Sequence, residues 1–380
     1  MADTRATVMV VFGGRSSEHS ISCATAAGVL GAIDRDRYRV LPVGIARDGA
    51  WVLQRDDPAR FALDAERLPE VDADGPRVLL PESASSREVL AIDGGELRSL
   101  GEVDIVFPIL HGPYGEDGTV QGALELAGLP FVGSGVLASA AGMDKHYTKL
   151  ILQAAGLRVA DGVTVHERRW ADEPERVRAE LAERIGFPLF VKPARAGSSV
   201  GVSKVRDAAA LDEAMRLAFL EDDKLLAERA VPGREVEIAI LESRPGERAR
   251  ASVAGEIRLD GAEFYDFAAK YLNGPGVELV CPAPLAEDEL AEMAELGIRA
   301  FEALGAAGLA RVDFFLGEDG FTINEVNTMP GFTPISMFPK CWQASGLSYP
   351  ELITELIEVA LAKHADAAER RARRLAGSAA

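Results

Sequence analysis

Cysteine is scarce. Cys23, Cys281 and Cys341 are three residues in 380, widely spaced and in no CxxC arrangement. This fits a reduced compartment and speaks against both a disulfide framework and a zinc site. Positive charge is also short: 41 Lys and Arg stand against 60 Asp and Glu, a formal net charge of −19. Such a field repels nucleic acid and anionic membrane surfaces, so neither is expected as a partner. An anionic small substrate stays compatible, because a local basic pocket can sit within an acidic surface. No apolar run reaches the roughly 18 residues that span a bilayer. The start, "MADTRATVMVVFGG", passes from a short apolar run into a Gly turn without signal-peptide organisation, so a cytoplasmic address is expected. A GxxxxGK[ST] loop is missing too, which excludes a P-loop NTPase.

What is present is ordinary for a soluble globular protein: 48% hydrophobic and 27% charged residues, in a length suited to two or three domains. "TVMVVFGG" (7–14), "YRVLPVGIA" and "VDIVFPILHG" read as buried parallel strands, with helical composition between them. Residues 1 to about 140 are therefore expected to form an open parallel α/β domain. The polar, Pro-containing stretch 54–100 reads as an irregular insertion at its edge. From about 143 the texture changes. "MDKHYTKLILQAAG" is an amphipathic helix, "FPLFVKPARAGSSVGVSKV" a strand, a Gly/Ser loop and a strand, and "DDKLLAERAVPGREVEIAIL" a strand, a turn and a strand. A helix over 286–304 leads into "RVDFFLGEDGFTINEVNTMPG", and the chain ends in a helix with a basic, solvated tail.

That last segment carries the chemistry. Strand side chains alternate faces, so Arg311 and Asp313 share one face, and Glu325 and Asn327 share one on the returning strand after the "GEDG" turn. If the two polar faces coincide, two carboxylates, an amide oxygen and a guanidinium converge. A structural salt bridge explains an isolated RxD, but a lone Arg neutralises only one carboxylate, and an unpaired buried charge costs several kcal/mol. Two hard carboxylates and a carbonyl oxygen suit Mg²⁺ completed by waters and substrate phosphates. A phosphate cradle is offered by "KPARAGSSVG", where Lys192 ends a strand and Ser198 and Ser199 follow in a Gly-rich loop. A plain hairpin turn fits the same loop equally well, and a helix-surface lysine is the default for Lys145. "LPFVGSGVLASA" formally matches a dinucleotide-binding turn (Gly133, Gly135, Ala138), but no strand-ending acid follows about 20 residues on.

Five motifs in order give the chain a close resemblance to the D-alanine–D-alanine ligase family of the ATP-grasp superfamily. They are "GGRSSEHSIS", "LHGPYGEDGTVQG", "KPARAGSSVGVSKV", "EFYDFAAKYL" and "RVDFFL…NEVNTMPGFTPISMFP". The resemblance covers almost the whole length. It implies an N-terminal α/β domain (1–140) followed by central (141–232) and C-terminal (233–380) ATP-grasp subdomains that grip ATP between them. ATP would phosphorylate the carboxylate of one D-alanine, and the amine of a second would attack the acyl phosphate, giving the dipeptide for peptidoglycan precursors. The metal ligands implied are Asp313, Glu325 and Asn327, holding two Mg²⁺ ions, with Mn²⁺ as a substitute and a monovalent cation such as K⁺ compatible. Lys145 and Lys192 would contact phosphates, with Ser199 also on the nucleotide. Glu228 and Val231 would offer backbone groups to adenine, and Glu235 would bind ribose; surface acids are the bland reading of both glutamates. Arg311 and the Gly331 N–H would hold the oxyanion.

Glu18, read here in the first turn of the first helix, would take the ammonium of the first D-alanine in a hydrogen-bonded set with Ser198 and Tyr271. His111 would lie near that substrate's carboxylate. Ser336 and the Met337 amide would clamp the second substrate's carboxylate, and Lys270 and Tyr271 belong to a loop (about 263–284) resembling the family's lid. Ala196 departs from members that carry an acid in the Gly/Ser loop. Three alternatives stand beside this: a depsipeptide-forming relative using D-lactate, against which Tyr271 argues, a dinucleotide-dependent oxidoreductase, and a non-catalytic nucleotide binder. Family members are commonly homodimers, and apolar edges within 1–140 suit such an interface.

Overall fold

The structure is a computed structural model in which residues 4–63, 68–259 and 277–377 are described. The first apolar runs pair as expected. β1 (Ala6–Gly13) lies parallel to both β2 (Tyr38–Ile45) and a later strand, Ile105–Ile109. These strands are apolar almost throughout because both faces of the sheet are covered, with α1 (His19–Ala32) on one of them. The stretch 54–100 corrects the sequence reading. It contributes ordered strands, not an irregular insertion. With β3 (Trp51–Leu53), the strands β4 (Arg77–Leu79), β5 (Glu88–Asp93) and β6 (Glu96–Glu102) extend the sheet antiparallel, and Ile105–Ile109 is β7. The order is β6-β5-β4-β3-β2-β1-β7, so the sheet is mixed, with a parallel centre. The extension is polar because β6 is an edge strand whose side chains mostly face solvent, which removes the apolar signal.

After α2 (Thr119–Leu126), α3 (Val136–Met143) and α4 (Lys145–Ala154) come β8 (Gly162–His166), α5 (Glu167–Asp172), α6 (Pro174–Arg184) and β9 (Leu189–Pro193). β10 (Ser203–Val205), α7 (Leu211–Phe219) and β11 (Lys224–Arg229) complete a four-stranded antiparallel sheet, β10-β9-β11-β8. Val177 and Leu181 of α6 and Leu211 and Met215 of α7 close its core.

A third sheet follows, in the order β14-β13-β12-β15-β16: β12 (Arg234–Leu241), β13 (Arg250–Leu259), β14 (Val277–Val280), β15 (Leu309–Gly317) and β16 (Gly320–Asn327). The strands either side of "AVPG", β11 and β12, are not a hairpin; they belong to different sheets, and the linker between them carries Val231. α8 (Glu287–Leu304) packs Met293, Phe301 and Leu304 onto this sheet. α9 (Met337–Ala344) and α10 (Tyr349–Gly377) then return to the first sheet, where Leu352, Ile353, Leu356 and Ile357 share one core with Val8, Val10, Phe107 and Ile109. Past residue 362 the described part of α10 is largely solvent-exposed. Among the described residues no helix is long and apolar enough to cross a membrane.

Candidate active site

The β15–β16 register places Arg311 opposite Asn327 and Asp313 opposite Glu325, so all four polar groups lie on one face, while Val312 and Phe314 are buried on the other. The register slips by one between Asp313 and Phe314, which makes Asn324 an extra, bulged residue. Arg311 meets Asp313 as a fork: Nε donates to Oδ1 at 2.7 Å and Nη2 to Oδ2 at 2.8 Å. Asn327 Nδ2 donates to Asp313 Oδ2 at 3.0 Å. Glu237 of β12, directly across from Asp313, adds a carboxylate 3.0 Å from Arg311 Nε. Burial works against the guanidinium charge, but Asp313 and Glu237 outweigh it and hold its pKa well above the usual value. The expected salt bridge therefore exists. It does not exhaust the acids, since Glu325 lies 3.8 Å from Lys145.

Lys145 is not a helix-surface residue. As the first residue of α4, after the Asp144 cap, it donates to the Ala196 carbonyl at 2.6 Å and so ties the Gly/Ser loop to the helix. Lys192, at the end of β9, is 2.7 Å from Glu228 and donates to Asn324 Oδ1 at 3.2 Å. Burial opposes its charge, yet Glu228, Glu325 and Glu235 raise its pKa. The surface reading of Glu228 is wrong: it is buried, with Lys149 also 2.7 Å away. Burial penalises the carboxylate, but the two lysines lower its pKa to about 2. Ser198 and Ser199 both have left-handed backbones, at φ 51° and 60°. That unusual conformation shapes the loop as more than a hairpin turn.

Glu18 occupies the position just before α1, not its first turn, and its side chain makes no cap bond there. The Ser198 hydroxyl donates to Glu18 Oε1, joining the Gly/Ser loop to the turn between β1 and α1. A side chain on Gly112 (φ 74°) would begin 2.7 Å from Glu18 Oε2, so glycine is required there. His111 is buried, with Nε2 3.3 Å from Thr25 Oγ1 and a hydrogen bond to the Met329 backbone; burial outweighs Glu18 and lowers its pKa, favouring the neutral ring. Glu116 accepts the Gly112 N–H at 2.6 Å, and burial beside Glu18 pushes its pKa up to about 8.

Ser336 precedes α9, where it accepts the Thr333 N–H at 3.2 Å, and Met337 opens the helix. The free amides of a helix start suit a carboxylate. Gly331 sits close by; a side chain there would meet Ser336 Oγ at 3.2 Å. Glu18, His111, Glu116, Lys145, Lys192, Ser198, Ser199, Glu228, Glu237, Arg311, Asp313, Glu325, Asn327, Gly331, Ser336 and Met337, with Val231 and Glu235, line one cavity of about 920 Å³. Lys270 and Tyr271 lie outside the described residues. The dinucleotide-like turn is not on the cavity wall: its Gly133 packs against Gly308, where a side chain would start 2.8 Å from the Gly133 nitrogen.

Among the described residues no three or more His, Cys, Asp and Glu are grouped to hold a metal ion. Asp313, Glu325 and Asn327 offer two carboxylates and an amide whose Nδ2 already serves Asp313, leaving oxygen as the ligand atom. That set fits a hard divalent cation completed by waters and phosphates, and does not fit an all-protein cage. Glu237, Lys149, Asn324 and Glu116 are the site residues that sequence reasoning missed. Two had a signal. Glu237 repeats the two-residue strand spacing from Glu235, and Lys149 lies one helical turn beyond Lys145.

Residues 7–134 match the family described as D-ala D-ala ligase N-terminus, and residues 151–358 match D-ala D-ala ligase C-terminus. A D-alanine–D-alanine ligase of Arthrobacter sp. is 52% identical over 358 residues, 93% of this chain and 94% of that protein. One of Streptomyces avermitilis is 52% identical over 365 residues, again 93% and 94%. Among solved structures, the D-alanine-D-alanine ligase from Coxiella burnetii superposes with a TM-score of 0.83 at 32% identity, covering 100% of both chains. VanG D-Ala:D-Ser ligase from Enterococcus faecalis gives 0.81 at 33% identity, covering 94% of this chain and 100% of its own.

Proposed function

Because the chain belongs to the D-alanine–D-alanine ligase family, we propose that its cavity joins two D-alanines at the expense of ATP through the residues assembled above. The enzyme is an ATP-dependent ligase whose product, D-alanyl-D-alanine, serves peptidoglycan synthesis; the D-lactate alternative is not favoured. ATP transfers its γ-phosphoryl group to the carboxylate of the first D-alanine, and the amine of the second attacks the acyl phosphate and expels phosphate.

Glu18, held by Ser198, takes the ammonium of the first substrate, and neutral His111 lies by its carboxylate. Lys145 and Lys192 hold phosphate oxygens, Ser199 and the loop amides wrap them, Glu228 and Val231 present backbone to adenine, and Glu235 takes the ribose. Asp313, Glu325 and Asn327 would hold Mg²⁺, in two ions, with Mn²⁺ as a substitute; bound there, the metal neutralises charge on the transferring phosphoryl group. Arg311 and the Gly331 N–H stabilise the oxyanion formed by amine attack. Ser336 and the Met337 N–H seat the second carboxylate.

The three sheets support domains bounded near residues 140 and 232. Leu126 and Leu137, 85% and 80% exposed on neighbouring helices, support a homodimer face, and the absence of a spanning helix among the described residues fits a cytoplasmic enzyme.

The observation that carries this reading is the Ser198–Glu18 bond, which brings the phosphate loop and the first-substrate acid to the cavity of the Arg311–Asp313 hairpin. Phosphate release with ATP, Mg²⁺ and D-alanine tests it, with L-alanine as control. D-alanine should support turnover and L-alanine should not. Glu325→Gln should lose roughly 10²-fold or more, as expected for a metal contribution of several kcal/mol. Unchanged turnover in that variant overturns the metal assignment.

A further inference from the structure

Two thiols 60 residues apart in the chain meet in the fold. Cys281 follows β14 directly, Cys341 lies in the middle of α9, and the two are free thiols in hydrogen-bond contact, their sulfurs 3.7 Å apart. Cys341 is buried, a place where cysteine commonly acts as a small apolar filler. Cys281 is different: it is half-buried, so a reagent can reach it. The neighbouring Cys341 thiol and the nearby Lys340 lower the Cys281 pKa against the effect of burial, while Cys281 and burial push the Cys341 thiol up. One accessible, more readily ionised sulfur therefore sits against one buried, resolving sulfur.

The pair is close to the machinery. Met337, one helical turn before Cys341, and Lys340, beside it, line the cavity, as does Leu279 two residues before Cys281. Glu237 and Arg311 lie near enough to act on the Cys341 thiol.

We propose that Cys281 and Cys341 are a reversible thiol–disulfide pair, oxidised by small-molecule disulfides, whose cross-link ties β14 to α9 and slows ligation by displacing the helix start at Ser336 and Met337. The chemistry balances. The Cys281 thiolate attacks one sulfur of R–S–S–R and expels RS⁻. Cys341 then gives up its proton and attacks the Cys281 sulfur, expelling the second RS⁻. Two protein thiols are oxidised and one small disulfide is reduced to two thiols. Closing from 3.7 Å to a bonded ~2.05 Å moves the two sulfurs together by about 1.7 Å, and a shift of that size next to a substrate clamp is costly to turnover.

The test uses the full-length enzyme with oxidised glutathione as the probe. Peptide mapping reads the cross-link and phosphate release reads turnover; the mapping does not depend on ligase activity. The expected result is a Cys281–Cys341 cross-linked peptide, Cys23 left as a free thiol, and turnover lower by roughly tenfold or more until dithiothreitol restores it. Cys281→Ser should keep full turnover with and without the oxidant. A stable glutathione adduct on Cys281 without cross-link, no reaction at either thiol, a cross-link that leaves turnover unchanged, or equal inactivation of Cys281→Ser would each overturn the proposal.

Discussion

Glu228→Gln probes how the lysines of the nucleotide side are held. Glu228 is 2% exposed and lies 2.7 Å from both Lys149 and Lys192. Its pKa falls from 4.5 to about 2, which favours the ionised form by roughly 3 kcal/mol in the folded protein. Removing one member of a buried ion pair typically costs about 3–5 kcal/mol, so two routes give the same scale. Glutamine keeps the shape and loses the charge, leaving Lys149 and Lys192 without their shared counter-charge. Lys149, whose pKa burial already lowers, loses its main counter-charge. A depressed carboxylate stabilises above its unfolded pKa and loses that contribution as pH falls through the folded one. The gap between wild type and variant should therefore be about 3 kcal/mol at pH 7, narrow below about 4.5, and nearly close by about 2. Urea unfolding at a series of pH values measures it. Lys149→Met added to Glu228→Gln should recover part of the loss, because it removes one unpaired cation. A gap under about 1 kcal/mol at pH 7, the scale of a solvated pair, or one that stays constant into acid, refutes the reasoning.

Gly112→Ala should raise the KM for D-alanine about tenfold or more while leaving that for ATP nearly unchanged, because its side chain meets Glu18 and strains a left-handed backbone by roughly 1–2 kcal/mol. Steady-state kinetics with each substrate varied decides it; equal KM values defeat the assignment of Glu18. Ser198→Ala removes a hydrogen bond to a carboxylate, about 1.5–3 kcal/mol, and should lower kcat/KM for D-alanine roughly 10- to 100-fold; a change under twofold in the same assay argues against the bond's role.

The hairpin was legible because alternation is strict: a polar residue every second position leaves one arrangement of faces, and the register delivers it. The bulge at Asn324 was not, since nothing in "TINEVN" marks where pairing slips by one. Of the 54–100 strands, β6 escaped because an edge strand with both faces wet carries no period to read, and β4 because three residues are too short to show one. The burial of Glu228 was hidden for a different reason: its counter-ions, Lys149 and Lys192, are distant in sequence, so it could not be inferred from "LLAERA". Most individual roles came from motif resemblance; the helix start at Met337 and the close approach of Gly112 to Glu18 are features that only the structure displays.

The sharing of a core between β1, β7 and the last helix bears on how the polypeptide matures on the ribosome. Val8, Val10 and Ile109 emerge early, yet Leu352, Leu356 and Ile357, which cover them, are made far later. About 240 residues separate β7 from α10, so at roughly 5–20 residues per second that apolar surface waits on the order of ten to fifty seconds for its cover. The opening sheet can take shape during synthesis, but its final seal comes only when α10 has been made, which makes the nascent form a natural client for chaperones that shield greasy faces.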